Sequence, residues 1–425
     1  MIDRRPVSLA PLAILRIVFG TVMVISCVRF AALGWIAEQY IDPVMHFPYA
    51  GFEWITSLGD PGMYVVFGVM TLAALGVAAG AWYRVSSILF FLTFTYVELI
   101  DKTYYLNHYY FVSIAAFLFC LVPAHRMLSI DVMRKPNLRA DTMPRWVLDV
   151  FKLQIAIVYV FAGLAKINHA WLIDAMPLRI WLPAQSDLPV IGPLMTLWWL
   201  PWVFAWAGMI FDCTVPFLLW NRRTRLYAYV AVVVFHVITG MMFQIGVFPL
   251  VMIAMTLVFF EPGASSPADY PVQTLAAPNK PIQIVLALHL VLQILIPWRF
   301  LAYPGELMWT EDGYRFSWRV MLMEKSGSAL FTVRDGVTGR LGVVDNSEFL
   351  NAHQEKQMSM QPDMIVQYAR FLREEFARRG VKNPSVTADV WVTLNGAPAQ
   401  QLVDPMRNLA GNDIGWLHTS WVLAR

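Results

Sequence analysis

The chain has 425 residues, of which 58% are hydrophobic and only 14% are charged, and its mean hydropathy is +0.53. Soluble domains carry about 25% charged residues, so this composition excludes a soluble globular protein and predicts apolar surface that faces lipid. The net charge of +3 is scattered and forms no basic stripe, which argues against nucleic acid as a partner.

A membrane-spanning helix needs about 20 mostly apolar residues. By that rule the sequence predicts nine transmembrane helices. The first apolar segment lacks a small-residue cleavage pattern, so we expect it to be retained as the first span. The nine spans lie near residues 8–30, 63–82, 86–100, 107–123, 146–166, 202–220, 225–243, 245–260 and 281–301.

Lysine and arginine are distributed unequally between the two sides of these predicted spans. The connections on the side of the N terminus hold twelve of them, whereas those on the opposite side hold three, namely Lys102, Lys166 and Arg179. Because cytoplasmic loops are enriched in Lys and Arg, we predict a cytoplasmic N terminus. Nine spans then place the sequence after residue 301 outside, in the periplasm or an equivalent lumen.

The sequence after residue 301 has denser charge and a different periodicity. Ser328–Val333 and Gly339–Val344 flank a turn-rich Asp335–Gly336, which predicts a β-hairpin. Pro362–Gly380 has apolar residues at helical spacing, whereas Thr387–Leu394 alternates as a strand does. This part is therefore predicted to be a small α+β domain that packs on the membrane region.

The predicted fold class is an all-α polytopic membrane domain of about nine transmembrane helices, followed by a small α+β extracytoplasmic domain. We place the first domain at residues 1–301 and the second at residues 302–425. The Pro/Ala/Ser-rich stretch 262–281 is predicted to be a cytoplasmic connection.

Ionisable groups at membrane depth are costly and therefore informative. The predicted topology places His108, Lys166 and His236 in the same outer third of the bilayer, whereas Arg16 lies near the cytoplasmic end of its span. A lysine that is partly removed from water can exist as the free amine, which a general base requires. Two nearby histidines can donate hydrogen bonds to a developing oxyanion or move protons.

Each of these residues also has a structural interpretation. Lys166 can be an interfacial anchor whose ammonium reaches water, and His236 can be a hydrogen-bonded packing residue. Asn107 and His108 can simply cap the fourth helix, and Arg16 is interpreted as structural. The sequence has no i, i+4 histidine pair and no cysteine ligand set, so no metal site is predicted.

The sequence resembles the vitamin K-dependent gamma-glutamyl carboxylase family, whose membrane region is also called the horizontally transferred transmembrane domain. The resemblance runs over essentially the whole chain, with many stretches in the family's order and spacing. These are DKTYYLNHYYF (101–111), IVYVFAGLAKINHAW (157–171), VVFHVITGMMFQIGVF (233–248), TEDGYRFSW through VRDGVTGRLG (310–342), DVWVTLN (389–395), DP (404–405) and TSWV (419–422).

The resemblance implies an activity and its cosubstrates. In that family a lysine deprotonates vitamin K hydroquinone, here phylloquinol or a menaquinol, which then reacts with O2. The resulting alkoxide removes a γ-proton from a glutamate of a peptide or protein, and the carbanion captures CO2. The products are γ-carboxyglutamate and vitamin K epoxide, and no metal is implied.

The same resemblance assigns roles to individual residues. Lys166 matches the family's base. Asn107 and His108 match an Asn-His pair that assists the oxygenated intermediates, and His236 matches a histidine that lines the same centre. Arg179 resembles an arginine suited to the substrate carboxylate. In addition, Tyr314 and Trp318 fall in the stretch linked to glutamate binding.

Two alternatives to the carboxylase remain open, and departures from the family support the first of them. Met323 stands where animal members have a histidine tied to glutamate binding, and those members continue well beyond TSWV. A quinol oxygenase or epoxidase without glutamyl carboxylation is therefore one alternative. A non-enzymatic polytopic binding or transport protein is the other. The lack of lumenal cysteines and of N-glycosylation sites suggests a bacterial inner-membrane member.

Overall fold

The computed structural model describes residues 5–243, 245–261, 280–411 and 421–425. Apolar helices dominate the first part of the chain. They are α1 (Ala10–Ala32), α2 (Gly59–Ala79), α3 (Tyr83–Ile100), α4 (Asn107–Leu121), α5 (Trp146–Ala165), α6 (Leu200–Trp220), α7 (Arg225–Met242), α8 (Phe248–Thr256) and α9 (Lys280–Leu295). Shorter helices lie between them at Trp35–Tyr40, Ile130–Arg134, His169–Leu172, Leu178–Trp181 and Gly192–Met195.

Every one of the nine predicted spans corresponds to one of these helices. Seven are long and apolar enough to cross a bilayer, with α9 extended by a 3-10 segment to Ala302, whereas α4 and α8 are shorter. Large apolar side chains on the outside, such as Leu72, Phe217 and Ile284, are 66–69% exposed. Such an apolar surface is typical of contact with lipid, and the chain is a multi-pass membrane protein. The predicted connection at 262–281 lies outside the described residues up to position 279.

A glycine allows two of the helices to approach closely where α5 crosses α6. A Cβ atom added to Gly163 would lie 2.5 Å from Cys213 Sγ and 3.1 Å from Asp212 Cβ. Small residues permit such backbone contact between membrane helices. The crossing places the end of α5, and therefore Lys166, against the middle of α6.

The beginning of the chain is anchored to the segment that precedes α5. β1 (Pro6–Ser8) pairs antiparallel with β2 (Thr142–Pro144). In α1, Arg16 is fully buried, and its Nη2 donates to the Leu128 carbonyl at 2.5 Å. This contact supports the structural interpretation of Arg16.

The C-terminal part forms an α+β domain, as predicted. Among the described residues its antiparallel sheet has four strands, β3 (Lys325–Arg334), β4 (Leu341–Val343), β5 (Ser385–Leu394) and β6 (Gln400–Gln401), in the spatial order β4-β3-β5-β6. The predicted hairpin, helix and strand are confirmed, and both long strands begin earlier than expected. The helical elements are a short helix at Leu307–Thr310, α10 (Ala352–Met358) and α11 (Pro362–Arg378).

Buried polar contacts join this domain to the membrane helices. Asp363 Oδ2 lies 2.7 Å from Lys102 Nζ and 2.8 Å from Arg315 Nη1. Burial by itself would raise the pKa of Asp363, but the two cations outweigh it and hold the pKa below its usual range. Gln354 donates to Asp101 Oδ2 at 2.7 Å. The predicted packing of the C-terminal domain on the membrane region is confirmed.

Candidate active site

A cavity of about 500 Å³ lies where α4, the end of α5 and α7 meet the C-terminal domain. We call it the inner cavity. It is bordered by Asn107 and His108 from α4, by Lys166 after α5, and by Tyr314 and Met323 from the C-terminal domain. Its volume is typical of a small-molecule site. The structure thus brings together the residues predicted at three separate positions of the sequence.

Lys166 is paired with an acidic residue that the sequence analysis did not single out. Its Nζ lies 2.7 Å from Asp212 Oδ2, and it also donates to the Ala162 carbonyl at 3.3 Å. Lys166 is 7% exposed and Asp212 is 4% exposed. An interfacial anchor would carry its ammonium into water, so the buried pair argues against that interpretation.

Asn107 is the first residue of α4 and does not cap it. The cap position is Leu106, and no side chain accepts a capping hydrogen bond there. Asn107 Nδ2 instead donates to the Arg319 carbonyl at 2.9 Å, and its Oδ1 accepts from the Tyr105 hydroxyl at 3.0 Å. The capping interpretation is therefore wrong for Asn107, which joins α4 to the C-terminal domain.

The two predicted histidines both pack against one phenylalanine, Phe248. The ring centroid of Phe248 is 5.5 Å from that of His108 and 5.5 Å from that of His236. His108 borders the inner cavity, whereas His236 does not. His236 Nε2 lies 2.9 Å from the Tyr159 hydroxyl. The position of His236 thus agrees with the packing interpretation, because Phe248 borders the cavity and His236 packs against Phe248.

The membrane side of the inner cavity is mostly apolar. Its walls include the rings of Trp171, Phe204, Phe235, Phe243 and Phe248. Flat aromatic walls with a few polar groups are suited to a planar, apolar ring system. The residues present therefore fit a naphthoquinol.

The opposite side of the inner cavity, formed by the C-terminal domain, is charged and hydrogen-bonded. Lys325 Nζ lies 2.9 Å from Glu311 Oε1, and Trp181 Nε1 donates to Glu324 Oε2 at 2.6 Å. Burial raises the pKa of Tyr314 well above its usual value, so its hydroxyl stays neutral and can donate a hydrogen bond. An apolar side and a polar side thus meet in one cavity.

A second cavity of about 870 Å³, which we call the side cavity, lies next to the first. It is bordered by Leu164 and Asn168 on either side of Lys166, and by Arg179, Trp298 and Arg319. Arg179 belongs to this cavity and not to the inner one, and its guanidinium carbon lies 5.4 Å from the Trp202 ring centroid. One wall therefore separates Arg179 from the four predicted residues that border the inner cavity, namely Asn107, His108, Lys166 and Tyr314.

Trp318 lies away from both cavities. It has a left-handed φ of 58° and is 1% exposed, and its ring stacks on Tyr110 with centroids 4.9 Å apart. The backbone at Phe316 is left-handed as well, with a φ of 61°. These turns direct Tyr314 and Arg319 to the inner cavity and Trp318 into the core. The placement of Trp318 therefore does not support the direct substrate contact expected from the sequence.

Sequence reasoning missed several polar groups in the helices. Asp212 had a usable signal, because an acidic residue within an apolar span is costly and seldom accidental.

A buried series of hydrogen bonds, which the sequence analysis also missed, links α9, α5 and α4. His289 Nε2 lies 2.9 Å from Gln154 Oε1, Gln154 Nε2 donates to Gln293 Oε1 at 3.2 Å, and Gln293 Nε2 donates to the Tyr110 hydroxyl at 2.7 Å. This series of hydrogen bonds ends at Tyr110, whose ring stacks on Trp318.

Two family models match the chain. An HTTM domain matches residues 4–263, well over half of the sequence. The lumenal domain of vitamin K-dependent gamma-carboxylases matches residues 278–425. No solved structure gives a significant match. Since the two models follow each other along nearly the whole length, the chain belongs to the vitamin K-dependent gamma-carboxylase family.

Proposed function

We propose that this protein carboxylates glutamyl side chains at the expense of vitamin K hydroquinone, O2 and CO2. One observation carries the proposal: Asn107, His108 and Lys166 border one cavity between apolar helices and the C-terminal domain. An apolar quinol reaches such a cavity from lipid, and a glutamyl peptide reaches it from water. The match of both parts of the chain to the family supports the same reaction.

The apolar walls of the inner cavity would hold the naphthoquinol ring, with its hydroxyl groups near Lys166, Asn107 and His108. When bound, the reduced quinone reacts with O2 and supplies the strong base that removes the γ-proton of glutamate. The chain's own contribution is to exclude water, since bulk water would quench that base before it reached a C–H bond. Phe204, Phe243 and Phe248 serve this role.

Lys166 is the proposed general base for the quinol hydroxyl. Asp212 is proposed to accept a proton from Lys166 and so leave its amine free. The amine must be free to accept a proton. Asp212 Oδ2, at 2.7 Å, is placed to take the proton of the Lys166 ammonium. That transfer leaves the pair neutral as a whole, so no net charge is created in a low-dielectric site. Asp212 is therefore a positioning and proton-accepting residue.

Asn107 and His108 are proposed to donate hydrogen bonds to oxygen atoms that gain negative charge during the reaction. The Arg319 carbonyl and the Tyr105 hydroxyl fix the amide of Asn107. His236 acts through Phe248 and therefore positions the cavity wall. Arg179 and Tyr314 remain the proposed contacts of the glutamyl substrate, with Arg179 acting from the side cavity.

The test uses purified protein in nanodiscs with reduced vitamin K, O2, labelled bicarbonate and a short glutamate-rich peptide. Fixed label and quinone epoxide are measured in the same tube. We expect both products from the wild type and neither from Lys166→Ala. Lys135→Ala, which removes an exposed lysine outside the cavities, is the matched control and should keep both. Epoxide formation by Lys166→Ala would contradict the assignment of the base.

A quinol oxygenase without glutamyl carboxylation is the second candidate. The observation that favours it is Met323, which borders the inner cavity where animal family members have a histidine. The same assay separates the two candidates, because an oxygenase forms epoxide without fixed label. In that case Met323→His should increase fixed label per epoxide.

The orientation is part of the proposal. Lys and Arg counts place the N terminus in the cytoplasm and the C-terminal domain in the periplasm or an equivalent lumen. A bacterial inner membrane is the proposed location. Cysteine accessibility at Lys135→Cys and Arg334→Cys tests this orientation, because a membrane-impermeant reagent added to intact cells should label only the second.

A further inference from the structure

Arg319 occupies the wall between the two cavities. Among the described residues it is the one side chain that borders both the inner cavity and the side cavity. It is 9% exposed, and its guanidinium carbon lies 4.4 Å from the Phe300 ring centroid. Its main-chain carbonyl accepts the hydrogen bond from Asn107. Arg319 is therefore fixed on one side by an aromatic ring and by its own backbone.

The guanidinium of Arg319 lacks the partner that a buried cation requires. Its Nε is buried without a hydrogen-bond partner among the described residues. No carboxylate in the described part of the chain lies within 4.0 Å of it. An arginine cannot escape this cost by losing its proton, so burial is stable only when an anion pairs with it.

The carboxylates that border the two cavities already have other partners. Each of the side-chain carboxylates has a cation or an N–H donor at hydrogen-bond distance, and none of them lies within 4.0 Å of Arg319. The pairs are Glu311 with Lys325 at 2.9 Å, Glu324 with Trp181 at 2.6 Å, Glu306 with Arg425 at 3.1 Å, and Asp174 with His169 at 3.0 Å. The site at Arg319 is therefore suited to an anionic ligand.

We propose that Arg319 binds the side-chain carboxylate of a glutamyl peptide that occupies the side cavity. The choice of glutamate rests on the proposed function. Leu164 and Asn168 border the side cavity, whereas Lys166 between them borders the inner one. Because Arg319 borders both cavities, a glutamyl side chain that binds it from the side cavity reaches the edge of the inner cavity, which Lys166 borders.

The geometry also explains how glutamate is distinguished from glutamine. The planar fork of an arginine offers two parallel N–H groups that match the two oxygens of a carboxylate. A glutamine amide has the same shape but leaves the buried positive charge uncompensated. Arg319 is thus a specificity-determining residue for the acceptor.

Peptide binding tests this inference without reference to turnover. The probes are an acetylated, amidated tripeptide with a central glutamate and its glutamine equivalent, titrated calorimetrically into the protein in nanodiscs. For the wild type we expect at least about tenfold tighter binding of the glutamate peptide. Arg319→Gln should lose most of this preference, with Arg179 accounting for any remainder, and Arg319→Lys should show an intermediate preference. Arg334→Gln, the same substitution at an exposed position outside both cavities, should retain the wild-type preference.

Thermal unfolding separates a ligand-binding role from a structural one. Removing an unpaired buried charge should leave the unliganded protein as stable as the wild type or more so, and only the wild type should be stabilised by the glutamate peptide. A less stable Arg319→Gln that retains the wild-type preference for the glutamate peptide would overturn the inference. An Arg319-dependent stabilisation by bicarbonate alone would overturn the glutamyl assignment, because the site would then bind a small inorganic anion. Arg319-dependent peptide binding without carboxylation would sustain the inference while the proposed function failed.

Discussion

Lys166 Nζ and Asp212 Oδ2 lie 2.7 Å apart in a buried ion pair that joins the end of α5 to the middle of α6. The pair exists because Gly163, one turn before Lys166, lets the two helices touch. Removing one member of a buried pair leaves the other charge uncompensated, whereas removing both does not. Stability and activity should therefore respond differently to substitutions here.

Asp212→Leu should lower the free energy of unfolding by about 3–5 kcal/mol, because the Lys166 ammonium is left unpaired. The double variant Lys166→Met with Asp212→Leu should recover most of that stability, yet form neither epoxide nor carboxylated product. Thermal and denaturant unfolding in nanodiscs measure the first effect. Asp187→Leu, at an exposed position of the connection before α6, is the control. Equal stability of the single and double variants would contradict the pairing.

Gly163→Ala should push α6 away from α5, because the added Cβ would meet Cys213 Sγ at 2.5 Å and the Cys213 backbone nitrogen at 2.8 Å. Overpacking of this kind costs about 1–3 kcal/mol, and epoxide formation should fall as the Lys166–Asp212 distance increases. Gly68→Ala in α2 meets nothing within 4 Å and is the matched control. Unchanged turnover by Gly163→Ala would show that the close crossing is not needed.

Tyr159→Phe removes only the hydroxyl that lies 2.9 Å from His236 Nε2. A buried nitrogen without its partner costs about 1 kcal/mol, and the freed imidazole should disturb Phe248 and the cavity wall. We expect epoxide formation to fall about fivefold with the protein still folded. Tyr227→Phe, on the same helix as His236 but 77% exposed, should have no effect. The His236→Phe variant should show a similar loss of epoxide formation. Full activity in this variant would show that His236 has no role in positioning the cavity wall.

Asp101, which is 2% exposed directly after α3, predicts a pH dependence of stability. Burial raises its pKa to about 6, although hydrogen bonds from Thr103 and Gln354 oppose this. The folded state then holds the proton more tightly than the unfolded chain, whose pKa is about 3.9. Stability contributed by this group is present at low pH and is lost as the pH rises from about 4 to about 6.

The measurable quantity is the difference in the free energy of unfolding between the wild type and Asp101→Asn. Relative to Asp101→Asn, the wild type should lose up to about 3 kcal/mol of unfolding free energy between pH 4 and pH 7. Above pH 7 the difference should stay constant. Asp42→Asn, at an exposed position, is the control. A difference that does not vary with pH would show that Asp101 stays charged throughout this range.

The helices and the C-terminal strands were predictable from the sequence because they rest on local patterns. The length of the apolar segments indicated the membrane spans, and the alternation of apolar and polar residues indicated β5. Loop charges also predict a common depth for His108, Lys166 and His236, and in the structure His108 and Lys166 border one cavity. Depth along a helix is a one-dimensional property, so residue counts capture it.

The contacts between helices were not predictable, because they depend on rotation and on the close approach of distant segments. Asp212 pairs with a lysine 46 positions away, and no local pattern records that. The direction of Trp318 depends on left-handed backbone at Phe316 and Trp318, which neither residue type favours. The sequence leaves a helix cap open as an interpretation of Asn107, because no local pattern records its bond to the Arg319 carbonyl, 212 positions away.

The wall between the two cavities has a kinetic consequence. In the described structure only Arg319 borders both spaces, so the quinol and the peptide would arrive through different cavities, meet at Arg319, and not block each other's path. Catalysis then passes through a ternary complex that forms in either order. Initial rates measured against both substrates should give intersecting lines in double-reciprocal plots, and a glutamine peptide should not act as a competitor of the quinol.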